Sequence, residues 1–176
     1  MARRASLFAM AVVIAALVPA GANPGHPAGG TGSVACNDGT VTWSPTNIWP
    51  PNHKMWTITI NYTDNDNDGD MIAITVGQIT DDQSNSDGSN ELNGSGQPTD
   101  KQGLDWSGSG NSGMATDPGT ATTTAQVRSE RSGRDMSGRT YTIQVMCSDM
   151  GGSSMENEMQ TVDLTVTVPH DQGHRS

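Results

Sequence analysis

Apolar and polar residues alternate along four stretches of the chain, and threonine supplies most of the polar positions. The apolar sets are Trp56, Ile58, Ile60 and Tyr62, then Ile72, Ile74 and Val76, then Tyr141, Ile143, Val145 and Cys147, then Val162, Leu164, Val166 and Val168. One apolar face and one polar face is typical of a half-buried antiparallel strand. No stretch of the sequence keeps a helical period.

Shorter alternating stretches at 33–36, 40–43 and 122–128 bring the total to about seven strands. This pattern predicts an all-β fold, an immunoglobulin-like antiparallel β-sandwich over residues 34–170. The stretch 83–119 departs from the pattern, because its 37 residues include 8 Gly and 7 Ser and hardly alternate. We expect a long loop there, with an ordered segment around Trp106.

The first 22 residues have the features of a secretory signal peptide. Arg3 and Arg4 precede an apolar run over 5–18, and small residues at 20–22 suit cleavage after Ala22. The run is shorter than the roughly 20 residues of a membrane span, which disfavours the alternative of an uncleaved anchor. We therefore expect an exported protein, periplasmic or extracellular, with no membrane insertion after signal removal. A flexible leader over 23–33 and a tail over 171–176 complete the chain.

Export determines how the two cysteines are interpreted. An oxidising compartment favours a disulfide between Cys36 and Cys147, and the alternative is a pair of free buried thiols. The bridge would close a span of 111 residues, which in the chain-entropy model contributes about 4–5 kcal/mol.

Composition excludes several classes of protein. Hydrophobic residues are only 32% of the chain, which excludes a multispan membrane protein and a large helical bundle. The chain has 19 acidic residues and 9 basic ones, and a formal net charge of −10. An electrostatic nucleic-acid binder is excluded as well, because phosphate contacts need Lys and Arg.

An acidic run is the sharpest local signal. Carboxylates stand at alternate positions, followed by a fourth after glycine: Asp64, Asp66, Asp68 and Asp70. Hard oxygen ligands and a tight glycine turn suit Ca²⁺, although Thr75 stands where an EF-hand needs Glu and no helix flanks the run. We expect a calcium-binding loop between two strands, helped by an outside carboxylate such as Asp81, Asp82 or Asp149. The alternative is a soluble turn, which the same composition favours.

A second group of charges surrounds Glu130. Arg128 and Arg131 flank this carboxylate, and Arg134 and Arg139 follow within a few residues. We expect a structural ion-pair corner, and the alternative is a site for an anion or a carboxylate ligand.

Tryptophans raise a further hypothesis. Flat aromatic rings provide an apolar face for sugars, and Trp106, with Asp105 beside it, is the one we expect to be exposed in a carbohydrate-binding module. Ordinary packing is the alternative. The sequence has no nucleophile elbow and no phosphate-cradling loop, so we do not expect an enzyme. A secreted hydrolase with dispersed carboxylates remains the least favoured alternative.

Four stretches together resemble a family of bacterial extracellular immunoglobulin-like modules. They are WPPNHK at 49–54, RSERSG at 128–133, GRTYTI at 138–143 and VPHDQ at 168–172. The end of the chain, 141–151 and then 161–168, also resembles a hyalin-type repeat. The resemblance implies a sandwich fold without established catalytic residues. It also implies an adhesive, spacer or accessory role, with an extracellular protein or glycan as partner.

Overall fold

The computed structural model describes residues 29–65, 69–82, 105–130, 137–150 and 159–169. Nine strands run through these ranges, which contain no helix. In chain order they are β1 (Gly32–Cys36), β2 (Gly39–Ser44), β3 (Met55–Thr63), β4 (Met71–Asp81), β5 (Trp106–Ser107), β6 (Ser112–Thr116), β7 (Ala121–Arg128), β8 (Arg139–Asp149) and β9 (Met159–Val168). The prediction of an all-β fold is confirmed.

The strands form two antiparallel sheets that enclose one core. The first sheet has the order β1-β2-β3-β7-β5, and the second has the order β6-β4-β8-β9. The alternating apolar positions point into the space between them, where Ile58, Ile60, Ile74 and Ile143 are fully buried. The architecture is therefore a two-layer β-sandwich, and the alternation located its inner faces correctly.

All seven expected strands are present, and two further strands lie in the stretch that was expected to be a loop. The two-residue β5 pairs with β7, and β6 pairs with β4. Gly113 on β6 lies so close to β7 that an added Cβ would stand 2.0 Å from the carbonyl oxygen of Thr122. Pairing partners and a close backbone approach define these strands, which is why alternation did not find them.

Three links join the two sheets near β1, β2 and β9. The predicted disulfide is present between Cys36 on β1 and Cys147 on β8, whose Cα atoms are 6.3 Å apart. The indole Nε1 of Trp43 donates to the carbonyl oxygen of Thr165, 2.9 Å away. After β2, the chain runs parallel to β9, where the Ile48 amide donates to the carbonyl oxygen of Thr167.

Several predictions fall outside the described residues. They concern the signal peptide at 1–22, the start of the leader, most of the 83–119 stretch, the tail at 171–176, and the side chains of Asp66, Asp68 and Arg131. In the ranges that the structure does describe, no helix is long and apolar enough to cross a membrane.

Replacing both cysteines, Cys36→Ala with Cys147→Ala, should lower the free energy of unfolding by about 2–5 kcal/mol, because the unfolded chain regains the freedom of a 111-residue loop. Urea unfolding of the oxidised protein and the double variant measures this change. Reduction of the unmodified protein should reproduce it. Equal midpoints for all three samples would contradict a stabilising role for the bridge.

Candidate functional site

A buried group of charges occupies the end of the sandwich where β7 ends and β8 begins. We call this the arginine end, and its members are Asp105, Arg128, Glu130, Arg139 and Tyr141. They come from three separate stretches of the chain, and the pairing of β7 with β5 and the packing of the two sheets bring them together.

Arg139 lies at the centre of the arginine end. It follows Gly138, whose φ of +83° suits glycine, and it is 0% exposed. Its Nη1 donates to the hydroxyl of Tyr141 at 2.9 Å and lies 3.4 Å from Oδ2 of Asp105. The guanidinium carbon also lies 5.6 Å from the centroid of the Tyr141 ring. A buried cation is therefore held by a carboxylate, a hydroxyl and an aromatic face.

Arg128 binds the same carboxylate from the other side. Its Nε lies 3.3 Å from Oδ1 of Asp105, and its Nη1 donates to the carbonyl oxygen of His53 at 3.1 Å. Its backbone carbonyl accepts the Tyr141 hydroxyl at 2.9 Å. Asp105 thus neutralises two buried arginines, one from each sheet.

The loop before β3 covers this end. Ser129 donates from its amide to the carbonyl of Lys54 and from its hydroxyl to the carbonyl of Pro50, and its own carbonyl accepts the His53 amide. His53 has φ +60°, a left-handed conformation that only a few per cent of residues other than glycine adopt. Pro50, His53 and Lys54 are therefore held to Ser129 by hydrogen bonds.

Burial and charge oppose each other at Glu130. Its Oε2 lies 3.4 Å from Nδ1 of His53 and 3.7 Å from Nε of Arg128. Burial raises the pKa of Glu130, and the opposing attraction of Arg139 does not fully cancel that effect. The ionised carboxylate is accordingly less stable in the folded protein than in water.

The pKa values of Arg139 and Tyr141 are also shifted from their ordinary values. Burial by itself lowers the pKa of Arg139, but Tyr141 and the carboxylates of Asp81 and Asp105 outweigh it and raise the pKa. Burial likewise raises the pKa of Tyr141, despite the opposing effect of Arg139. Arg139 therefore remains charged, and Tyr141 remains a neutral hydroxyl that donates one hydrogen bond and accepts another.

The structure distributes the expected ligand-binding residues differently from the sequence analysis. Asp105 belongs to the arginine end. Trp106 is half-buried, stands opposite Val127 and packs against the core, so it is not the exposed ring that the composition of the stretch suggested. Of the expected ion-pair corner, Nε of Arg128 lies 3.7 Å from Oε2 of Glu130, and Arg131 lies outside the described residues.

Sequence reasoning missed the central roles of Arg139 and Tyr141. A signal for Arg139 was present, because it shares the inward positions of β8 with Tyr141 and Ile143. A charged residue on an apolar face needs a buried partner, and that requirement could have pointed to a carboxylate elsewhere in the chain.

Aspartates gather at the opposite end of the sandwich, which we call the aspartate end: Asp64, Asp70, Asp117 and Asp149. Asp149 stands opposite the inward-facing Ile72 in the register of β4 with β8. Each of the other three lies two positions from a residue on the inner face: Asp64 from Tyr62, Asp70 from Ile72 and Asp117 from Ala115. Burial, followed by the negative charges of Asp64 and Asp149, raises the pKa of Tyr62 to about 12. Two carboxylates from different sheets therefore act on one buried hydroxyl.

Asp117 is the member of this end that the sequence analysis did not predict. It is 4% exposed, its amide donates to the carbonyl of Asp70, and neither of its carboxylate oxygens has a hydrogen-bond partner among the described residues. A buried carboxylate without such a partner is costly. Among all the residues that the structure describes, no three His, Cys, Asp or Glu side chains are arranged so that they could hold a metal ion.

Comparisons with protein-family models, curated proteins and solved structures found no match to this chain.

Asp105→Asn should lower the free energy of unfolding by roughly 3 kcal/mol, because it leaves the buried guanidinium of Arg139 and that of Arg128 without their shared charge. Asp163→Asn, on the exposed face of β9, is the matched control and should change stability by less than about 0.5 kcal/mol. Denaturant unfolding of both variants gives the comparison. Equal changes in unfolding free energy for the two variants would show that the ion pairs of Asp105 contribute nothing to stability.

Glu130→Gln tests the pKa shift through the pH dependence of stability. A carboxyl whose pKa is raised on folding stabilises the protein fully below its unfolded pKa, and this contribution is lost as pH rises through the folded pKa. The ordinary pKa of a glutamate carboxyl is 4.5. As pH rises above that value, the free energy of unfolding of the natural protein should therefore fall relative to that of Glu130→Gln. Chemical unfolding of both proteins across that range measures the difference. A difference that grows with pH would mean a lowered pKa.

Proposed function

We propose that this protein is an exported, non-catalytic, immunoglobulin-like module with a structural, adhesive or accessory binding role, stiffened by calcium. The observation that carries the proposal is the internal compensation of the arginine end. Arg139 is inaccessible to solvent, and Asp105 and the Tyr141 hydroxyl of the same domain bind its guanidinium group. Charges that are buried and paired in this way hold strands together and are not accessible to a ligand.

The strand order supports an immunoglobulin-like topology. In immunoglobulin domains, strands A, B, E and D form one sheet, and C, F and G form the other. The neighbours β2-β3-β7-β5 have the first order, and β4-β8-β9 have the second. Here β1 extends the first sheet and β6 extends the second.

The Tyr141 hydrogen bond offers further support. Immunoglobulin domains carry a tyrosine near the start of strand F whose hydroxyl bonds to backbone upstream, at the corner between E and F. Tyr141 lies near the start of β8 and donates to the carbonyl of Arg128 at the end of β7. Cys147, on the same strand, forms the bridge between sheets, although its partner lies on β1.

Export and partner rest on the sequence. The signal-peptide pattern predicts secretion, and the disulfide is compatible with an oxidising compartment. A small sandwich with one disulfide and with ion-paired charges at its arginine end suits a spacer or a domain that adheres to an extracellular protein or glycan. The inward position of Trp106 gives the carbohydrate-binding alternative no support.

The calcium part of the proposal concerns the aspartate end. The alternating carboxylates of the run 64–70 would bind the ion, and Asp117 would supply a further ligand from the β6–β7 turn. The support is that Asp117 is buried beside Asp70 and has no hydrogen-bond partner for either carboxylate oxygen within the described ranges. A bound divalent cation would neutralise this charge and tie the two turns together.

Calcium should stabilise the protein, by about 2.7 kcal/mol at a hundredfold excess over its dissociation constant. Asp66→Ala should lose this gain. Asp117→Asn should lose it as well, and in chelator it should be at least as stable as the natural protein, because a neutral amide costs less to bury than a charge. Thermal unfolding with Ca²⁺ and with chelator measures these effects.

Asp163→Asn is the control, and it should keep the full response to calcium. Tyr62 provides an independent readout, since a cation beside Asp64 and Asp149 would lower its pKa from about 12. Tyrosine absorbance followed against pH, with Tyr62→Phe to assign the transition, measures that change. An unchanged midpoint and an unchanged Tyr62 titration at millimolar Ca²⁺ would reject calcium binding.

A further inference from the structure

Methionines are concentrated on the outer face of the second sheet. Five of them occupy its outward positions: Met71 on β4, Met114 on β6, Met146 on β8, Met150 directly after β8, and Met159 on β9. Their exposed fractions reach 42% at Met71, 47% at Met150, 62% at Met114 and 65% at Met159. A soft, exposed sulfur surface therefore covers all four strands of this sheet at its aspartate end.

Four of these methionines surround Ala73. Met71 precedes it by two positions on β4, and Met114 stands directly opposite it on β6. On β8, Ser148 is opposite, so Met146 and Met150 are the diagonal neighbours. Ala73 points outward and does not belong to the core cluster, yet it is only 7% exposed. The surrounding side chains shield it from solvent.

The spacing allows several sulfur atoms to meet above Ala73. Met71 and Met150 are opposite each other in the register, and the Met150 amide donates to the Met71 carbonyl at 2.8 Å. Opposite residues of such a pair have Cα atoms about 5.5 Å apart, and diagonal neighbours about 7–8 Å. The methionine side chain is unbranched and has three rotatable bonds, so neighbouring thioethers on one face can converge on one ion.

We propose that this methionine face, formed by Met71, Met114, Met146 and Met150 around Ala73, binds the soft monovalent ion Cu(I). Thioether sulfur selects Cu(I), whereas carboxylate and carbonyl oxygens suit Ca²⁺ and Mg²⁺. Both cysteines are held in the disulfide, so thioethers are the soft ligands that this protein offers. The net charge of −10 favours the approach of a cation.

Strand alternation separates this site from the aspartate end. Asp149 faces the space between the sheets, and Met150, the next residue, faces outward. Met71, which faces outward on β4, likewise directly follows Asp70 in the chain. Hard and soft ligands are therefore presented on opposite sides of one sheet, and the binding of Cu(I) does not depend on the calcium proposal.

The test is an anaerobic titration in which the purified protein competes with a colorimetric chelator for Cu(I). The natural protein should withdraw one equivalent of Cu(I) from the chelator. The triple variant Met71→Leu, Met114→Leu and Met150→Leu should lose this binding. Leucine nearly conserves the volume and apolar character of methionine, so an unchanged thermal midpoint shows that the variant still folds.

Met55→Leu is the matched control, because Met55 is 37% exposed but lies on β3, in the other sheet. It should leave Cu(I) binding unchanged. With methyl-labelled methionine, the redox-inert ion Ag(I) should shift the NMR signals of the methionine face and leave that of Met55 in place. Failure to compete with the chelator would overturn the proposal. Cu(I) binding that the triple variant retains would also overturn it, because the thioethers of the methionine face would then not be the ligands.

Discussion

The buried guanidinium of Arg139 is the constraint on which the arrangement of this end of the sandwich depends. A cation that is fully removed from water needs partners, and Arg139 has Asp105, the Tyr141 hydroxyl and the face of the Tyr141 ring. Those partners belong to different parts of the chain, so meeting the requirement brings β5, β7 and β8 into one arrangement. The loop before β3 is tied to the same place through Ser129 and through the contact of Arg128 with His53. These charges therefore hold strands together at this end, as apolar packing does in domains with larger cores.

The two ends of the sandwich differ in the charged side chains that they bury. At the arginine end, positive and negative groups are paired at 3.3 and 3.4 Å around Asp105. At the aspartate end, charges of one sign gather, and they raise the pKa of Tyr62. Asp117 is buried there with no hydrogen-bond partner for its carboxylate in the described part of the chain. Burial of charge is therefore accompanied by ion pairs at the arginine end and by raised pKa values at both ends.

A single sheet separates two kinds of side chain because a β-strand sends successive side chains to opposite faces. Along β4 and β8, this period places carboxylates inside and thioethers outside within neighbouring residues. Unlike alternating valine and threonine, such a pattern does not follow from the need for a core, since Met114 and Met159 are mostly exposed. The outer face therefore has a chemistry that the stability of the sandwich does not require.

Alternation along the chain was enough to predict the all-β class, seven strands and their inner faces, because the period of two is a local property of each strand. The signal-peptide pattern, through the compartment it implies, also led to the Cys36–Cys147 bridge. Tertiary structure alone decided which charges meet. Asp105 neutralises Arg128 and Arg139, and Asp117 lies beside Asp70, because strands far apart in the sequence pair and pack. It also decided that β5 and β6 exist, since both depend on partner strands, and it placed Trp106 against the core. Local patterns report which face of a strand is apolar, whereas the partners of a buried charge depend on contacts between distant residues.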